Sequence, residues 1–341
     1  MIANFFHGWE RKLASVTTDR IVRPFEWGVD WIGAPLAASD AQVDGAAEAA
    51  MLRAWADDAT RNSDRFYHVD PISSFDFDGH HLSYPSASTT PHPENDVVHA
   101  RFFRARDDSR RRAVVVLPQW NADAGGHVGL CRLFARFGVS SVRLSLPYHD
   151  RRMPAELTRA DYIVSSNVGR TVQVCRQAVL DARRAVQWLH AQGYEHIGIV
   201  GTSLGSCLAM LTAAHEPLVK AAAFNHCSPW FADVVWEGLS TEHVRQGLDG
   251  RITLDLLRDL WLPISPFPFM ERVRGKKLLV VYAKYDLSFP LALSKRFIAE
   301  FDARDIAHET FVLPCGHYSG GKPPFNWIDG FALTRFFNRN L

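Results

Sequence analysis

From Val97 onward the sequence alternates short β-branched runs with segments of three- and four-residue apolar spacing, and this alternation constrains the fold more than any other feature. Val97 to Phe103 alternates and reads as a strand. Ala113-Val114-Val115-Val116-Leu117 is a short run of the kind buried on both faces of a sheet. Val128 to Phe137 reads as helix and Val139 to Leu146 as strand. Val172, Cys175, Val179, Ala182, Val186 and Leu189 mark one face of a long helix. Strands are expected at His196–Val200, Val219–Phe224, Lys277–Tyr282 and Glu309–Leu313. Helices are expected at Leu204–His215, Leu291–Phe301 and Trp327–Phe337. Such alternation implies a mainly parallel sheet flanked by helices on both faces, an α/β class.

Two stretches stand outside the pattern. Residues 228–273 interrupt it with a mostly helical segment carrying Trp230, Phe231, Trp236, Trp261, Phe267 and Phe269. This reads as a helical lid inserted over the carboxyl edge of the sheet, where α/β folds bind ligands. Residues 1–95 read as an N-terminal extension packing on a core of residues 96–341. Within the extension Ala46–Ala56 is a plausible helix, and Ser83–Asn95, with three prolines, reads as a loop.

With 341 residues and about half of them apolar, the chain can bury a large core. A net charge of +1 offers no electrostatic reason to expect nucleic acid or an anionic membrane as partner. The basic run Arg101–Arg112 also holds Asp107, Asp108 and Ser109 and reads as a solvated turn. The five cysteines, Cys131, Cys175, Cys207, Cys227 and Cys315, form no CxxC pair and are expected to be reduced thiols. No signal peptide or membrane span is read, so a cytoplasmic location is expected. Oligomeric state is left open.

The chemistry concentrates in Gly201-Thr202-Ser203-Leu204-Gly205, between the strand ending at Val200 and the helix opening at Leu204. In strand-turn-helix context the flanking glycines let strand and helix approach closely. The turn lifts the serine hydroxyl clear of the sheet edge and puts the Leu204 amide at a helix N-terminus, where it can stabilise an oxyanion. The competing reading is a plain turn with Ser203 as helix cap. A serine nucleophile needs a base. His317, in Pro314-Cys315-Gly316-His317, lies just after a strand; the alternative is a surface-loop histidine, one of fifteen histidines in the chain. Asp286, in Ala283-Lys284-Tyr285-Asp286, also follows a strand. It either orients the imidazole or caps a turn. Taken together, Ser, Asp and His occur in that order, each past a strand end.

On these residues, positions 97–341 resemble the α/β-hydrolase superfamily, in particular bacterial esterase and dienelactone-hydrolase-like members and more loosely the abhydrolase-18-like group. The resemblance implies an α/β-hydrolase fold and a serine esterase with Ser203, Asp286 and His317 as catalytic triad. It places the second oxyanion donor in the loop after Leu117, on the backbone N–H of Trp120 or Gln119. The His-Gly often found there is replaced by Pro118-Gln119-Trp120-Asn121. Trp120 either walls an acyl pocket or simply packs. Tyr148 and His149 either line the site or hold a loop, and Trp230 and Trp236 are further candidates for substrate contact. The partner expected is a small, apolar or aromatic ester. Thioesterase, peptidase, C–C hydrolase and non-catalytic binding protein are the alternatives. Asp76, Asp78, His80 and His81 fall in an expected hairpin and fit no metal-ligand spacing, and no phosphate-binding glycine motif follows a strand, so no metal or cofactor is expected.

Overall fold

The computed structural model describes residues 2–33 and 45–341. Nine strands form one sheet: β1 (Asp76–Phe77), β2 (His81–Pro85), β3 (Val97–Phe103), β4 (Arg112–Leu117), β5 (Ser140–Leu144), β6 (His196–Thr202), β7 (Val219–Asn225), β8 (Lys277–Ala283) and β9 (Glu309–Leu313). Their order is β1-β2-β3-β5-β4-β6-β7-β8-β9. The first three pairings are antiparallel, and every pairing from β5–β4 to β8–β9 is parallel.

The helices are α1 (Ile2–Ala14), α2 (Gly45–Arg61), α3 (Ser63–Phe66), α4 (Val128–Arg136), α5 (Val168–Ala191), α6 (Leu204–His215), α7 (Phe231–Glu237), α8 (Glu242–Leu248), α9 (Leu254–Leu260), α10 (Leu291–Asp302) and α11 (Phe325–Asn340). They cover both faces, which is why β4 and β5 are buried at every residue. The period of two divides β4 between two cores. Val114 and Val116 meet Phe134 of α4 and Phe337 of α11 on one side. Val115 and Leu117 join α5, α6 and α10 on the other. Each fully buried Val or Leu contributes roughly 2 kcal/mol. Near the edge, β3 alternates between buried and half-exposed residues because only one of its faces is fully covered.

Two features differ from the sequence reading, and a third, the hairpin around Asp78, agrees with it. Ile2–Ala14, for which no element was expected, is a helix. The supposed loop from Ser83 begins inside β2, which runs to Pro85, and a 3₁₀ turn closes it at Pro93–Asp96. The polar cluster around Asp78 is the β1–β2 turn: Asp78 Oδ1 accepts from the backbone N–H groups of His80 and His81 at 2.8 and 2.7 Å. β1 pairs with β2 across this turn, and β2 joins the hairpin to the sheet by pairing with β3. Residues 228–273 hold α7, α8 and α9 between β7 and β8. Among the described residues no helix is long and apolar enough to cross a membrane. All five cysteines are buried and unbridged, with the Sγ atoms of Cys207 and Cys227 4.0 Å apart.

Candidate active site

Parallel strands all end at one edge, and the loops leaving β4 to β9 therefore gather there. Asn121, Tyr148, Ser203 and His226, in the loops after β4, β5, β6 and β7, carry positive φ values of 58°, 63°, 57° and 63°. Left-handed backbone at non-glycine residues costs about 1–3 kcal/mol each and tends to mark functional loops.

Ser203 sits between β6 and α6 with φ 57° and ψ −122°. Its neighbours explain how so tight a turn is accommodated. A Cβ on Gly201 would lie 1.9 Å from the Gly205 carbonyl oxygen, and one on Gly205 would lie 2.3 Å from the Leu117 oxygen. Only hydrogen fits at either place, so the start of α6 presses directly on the end of β4. The Ser203 N–H donates to the Asn225 carbonyl at 2.8 Å, tying the turn to β7.

The structure brings the three residues from distant loops into one line. Ser203 Oγ is 3.1 Å from His317 Nε2. His317 Nδ1 is 2.9 Å from Asp286 Oδ2. The other carboxylate oxygen, Oδ1, accepts from the Ser288 and Phe289 N–H groups, each at 2.7 Å. The Phe289 ring stacks on His317 with centroids 5.6 Å apart. Asp286 is 3% exposed. Burial works to raise its pKa, but the His317 charge and the hydrogen bonds it receives outweigh that and hold it below the usual carboxylate range. For His317, burial works to lower the pKa. The Asp286 charge and hydrogen bond, with a further contribution from Glu10, prevail and raise it.

A second imidazole shares this carboxylate. His226 Nδ1 lies 2.9 Å from Asp286 Oδ2, and its ring is 4.8 Å from that of His317. The contact does not have the direction of a hydrogen bond. The sequence reading missed His226, although Asn225-His226 occupies the same position after a strand as the other site residues. Among the described residues, His226, Asp286 and His317 are the one set of metal-type donors that converges. Both nitrogens of His317 are already directed at Ser203 and Asp286.

The loop after β4 runs beside Ser203. The Asn121 N–H donates to His149 Nε2 at 2.9 Å, while His149 Nδ1 bonds the Pro147 carbonyl at 2.8 Å. His149 is therefore the neutral Nδ1–H tautomer, and burial pushes its pKa down to about 4. That bond engages the Asn121 amide, while the amides of Gln119 and Trp120 donate to no acceptor among the described residues. The Leu204 amide opens α6, where an N–H has no intrahelical acceptor. The Trp120 indole N–H donates to the Ala160 carbonyl at 2.8 Å, and its ring stacks on His243 of α8 at 5.6 Å.

Tyr148 is fully buried, with its hydroxyl 3.1 Å from His92 Nδ1. The Trp230 ring stacks on Phe267, and Trp236 packs under the Arg245 guanidinium, so both rings are engaged within residues 228–273. A groove of about 530 Å³ lies along β2 and β3, lined by His81, His99 and Arg143 among others, and includes none of Ser203, Asp286 and His317. Ser203 itself is only 8% exposed.

No family model and no curated protein matches the sequence. Solved structures do match. Acylaminoacyl peptidase from Pyrococcus horikoshii superposes with a TM-score of 0.60 at 14% identity, over 79% of this chain and 42% of that one. The present chain thus spans less than half of that peptidase. Acetyl xylan esterase 1 from Thermoanaerobacterium sp. JW/SL YS485 superposes with a TM-score of 0.58 at 16% identity, over 96% and 98% of the two chains. An esterase from Pyrococcus furiosus gives 0.53 at 13% identity, over 78% and 92%. Identities this low speak to architecture, and in architecture this chain has the α/β-hydrolase fold.

Proposed function

We propose that the chain is a serine hydrolase that cleaves carboxylic esters through an acyl-enzyme. One observation carries the reading: the continuous contact from Ser203 Oγ through His317 to a buried Asp286, at 3.1 and 2.9 Å, with Ser203 on a strained strand-to-helix turn.

His317 Nε2 takes the Ser203 proton as Oγ attacks the ester carbonyl. Asp286 keeps the imidazole in the Nδ1–H tautomer and stabilises the imidazolium. The carbonyl oxygen becomes an oxyanion, held by the Leu204 amide and one from Trp120 or Gln119. His317 then protonates the departing alcohol. Water, deprotonated by His317, attacks the acyl-enzyme, and the acid leaves as Ser203 regains its proton.

Esters are preferred to peptides because the acetyl xylan esterase, named for an ester, aligns along nearly its whole length, whereas the peptidase extends far beyond the match. Residues 228–273 act as the lid over this site. His243 on the Trp120 ring and the bond from the Leu239 N–H to the Leu287 carbonyl, beside Asp286, support that reading. Trp120, Trp230 and Trp236 would give the acyl or alcohol side an apolar, aromatic wall.

Hydrolysis of p-nitrophenyl esters from acetate to decanoate tests this, with wild type beside Ser203→Ala. Activity that falls on the order of 10⁴- to 10⁶-fold in the mutant supports the reading. A folded wild type that cleaves no ester, and whose Ser203 resists a fluorophosphonate probe, refutes it.

A further inference from the structure

The loop bearing His317 is gripped by a residue from the far end of the sequence. Glu10, on α1, has no exposed surface. Its Oε2 accepts from the Tyr318 N–H at 2.8 Å. Its Oε1 accepts from the Ser319 N–H at 2.9 Å and from Ser319 Oγ at 2.7 Å. Ser319 Oγ in turn accepts from the Gly316 N–H at 2.8 Å. The two residues after His317 and the one before it are thus fastened, directly or through one hydroxyl, to a single carboxylate. Gly316 makes the approach possible, since a Cβ there would lie 2.3 Å from Glu10 Cδ. One turn earlier on α1, Phe6 stacks on Tyr285, next to Asp286, with centroids 4.6 Å apart and planes 7° from parallel. Helix α1 therefore braces the loops of both the base and the acid.

We propose that Glu10 is a positioning residue of the active site, clamping the loop that carries His317 so that the imidazole is held between Asp286 and Ser203. The inference rests on reading those three residues as the triad. A buried carboxylate is costly unless each oxygen is hydrogen-bonded, and here the loop's own backbone supplies the donors. The groups facing His317 are Asp286 after β8, His226 after β7, Ser203 before α6, Glu10 on α1, and Tyr318, whose hydroxyl accepts from Arg20 at 3.0 Å. Of these, Asp286 and Glu10 are the carboxylates. The negative charge of Glu10 adds to that of Asp286 in favouring protonated His317. Glu10 therefore has two effects, one geometric and one electrostatic.

Two variants of the full chain separate them. Glu10→Gln turns an amide NH₂ toward one of the loop N–H donors and removes the charge. Glu10→Asp keeps the charge but withdraws it by one methylene. The readouts are kcat and KM on p-nitrophenyl butyrate across pH, and NMR titration of the His317 imidazole.

For Glu10→Gln, kcat should fall about ten- to hundredfold with KM within about threefold, as expected for a misplaced base. The acid limb of kcat/KM and the His317 titration should both move to lower pH. For Glu10→Asp, kcat should fall while the acid limb stays near its wild-type position. A folded Glu10→Gln with wild-type kcat and an unmoved His317 titration overturns the inference, even if its melting temperature drops, because α1 then only docks. Should Glu10→Gln not fold, unchanged kcat in Glu10→Asp overturns it instead. A wild type inert toward esters would refute the esterase reading, and the His317 titration in the variants would still decide the role of Glu10.

Discussion

Asp286→Asn tests the proposed triad with the least change in shape. The two carboxylate oxygens of Asp286 have different partners, and this decides how an asparagine must sit. Oδ1 accepts two backbone N–H groups at 2.7 Å, from Ser288 and Phe289. An amide NH₂ placed there would meet two donors, so the asparagine carbonyl oxygen takes the Oδ1 position. Its NH₂ is then forced into the Oδ2 position, 2.9 Å from the Nδ1 atoms of both His317 and His226. His317 can meet that donor only by moving its proton to Nε2. Nε2 is the atom facing Ser203 Oγ, and once protonated it cannot accept the hydroxyl proton. The expected loss is about 10³- to 10⁴-fold in kcat, or about 4–5.5 kcal/mol of transition-state stabilisation. The two Oδ1 bonds survive, so the loop stays in place and the protein stays folded. Steady-state kinetics on a p-nitrophenyl ester, with circular dichroism on the same samples, gives the answer. A folded Asp286→Asn within tenfold of wild type would show that another group orients the imidazole.

Further outcomes are expected. The base must be neutral to accept a proton, and the pKa of His317 is raised, so kcat/KM should climb with pH through an apparent pKa above the ordinary histidine value of about 6.5; a limb below that value contradicts the assignment. In Gly205→Ala the new Cβ meets the backbone oxygens of Leu117 and Pro118 at 2.3 and 2.5 Å, atoms that cannot swing away. Stability should fall by about 1–3 kcal/mol as α6 is pushed from the oxyanion loop, and kcat by roughly 10² or more, the scale of losing one oxyanion donor; a wild-type kcat would count against the oxyanion assignment. Burial pushes the pKa values of His149 and His215 down to about 4. Between about pH 6.5 and 4 the unfolded chain therefore binds protons that the native state refuses. The melting temperature should fall as pH drops through that window, with this contribution levelling off below it; a melting temperature flat across the window would contradict the burial argument.

The alternation after Val97 made most of the sheet legible, because β-branched runs buried on both faces and amphipathic helices are local patterns. Ser203, Asp286 and His317 could be proposed for a similar reason, each being a chemically capable side chain directly after a recognisable strand. His226 carries the same positional signal but belongs to no motif. Glu10 carried no signal at all, since a lone Glu in a segment where no element was expected points to no partner. The hairpin around Asp78 was legible, but its place in the sheet was not, because that depends on β2 pairing with β3. Trp120 illustrates the same limit. Its aromatic character was plain, but its engagement with Ala160 and His243 depends on segments 40 and 123 residues away.

Period and turn chemistry act between neighbours in sequence, so the sequence by itself determined the α/β class, the strand-turn-helix around Ser203 and the three residue types that a serine hydrolase needs. The tertiary structure alone decided that Asp286 faces two imidazoles, that Asn121 is held by His149, and that α1 reaches across to fasten the His317 loop. Each of these is a contact of a few ångströms between residues far apart in the chain. Such contacts exist only once the parallel sheet has gathered its strand ends at one edge.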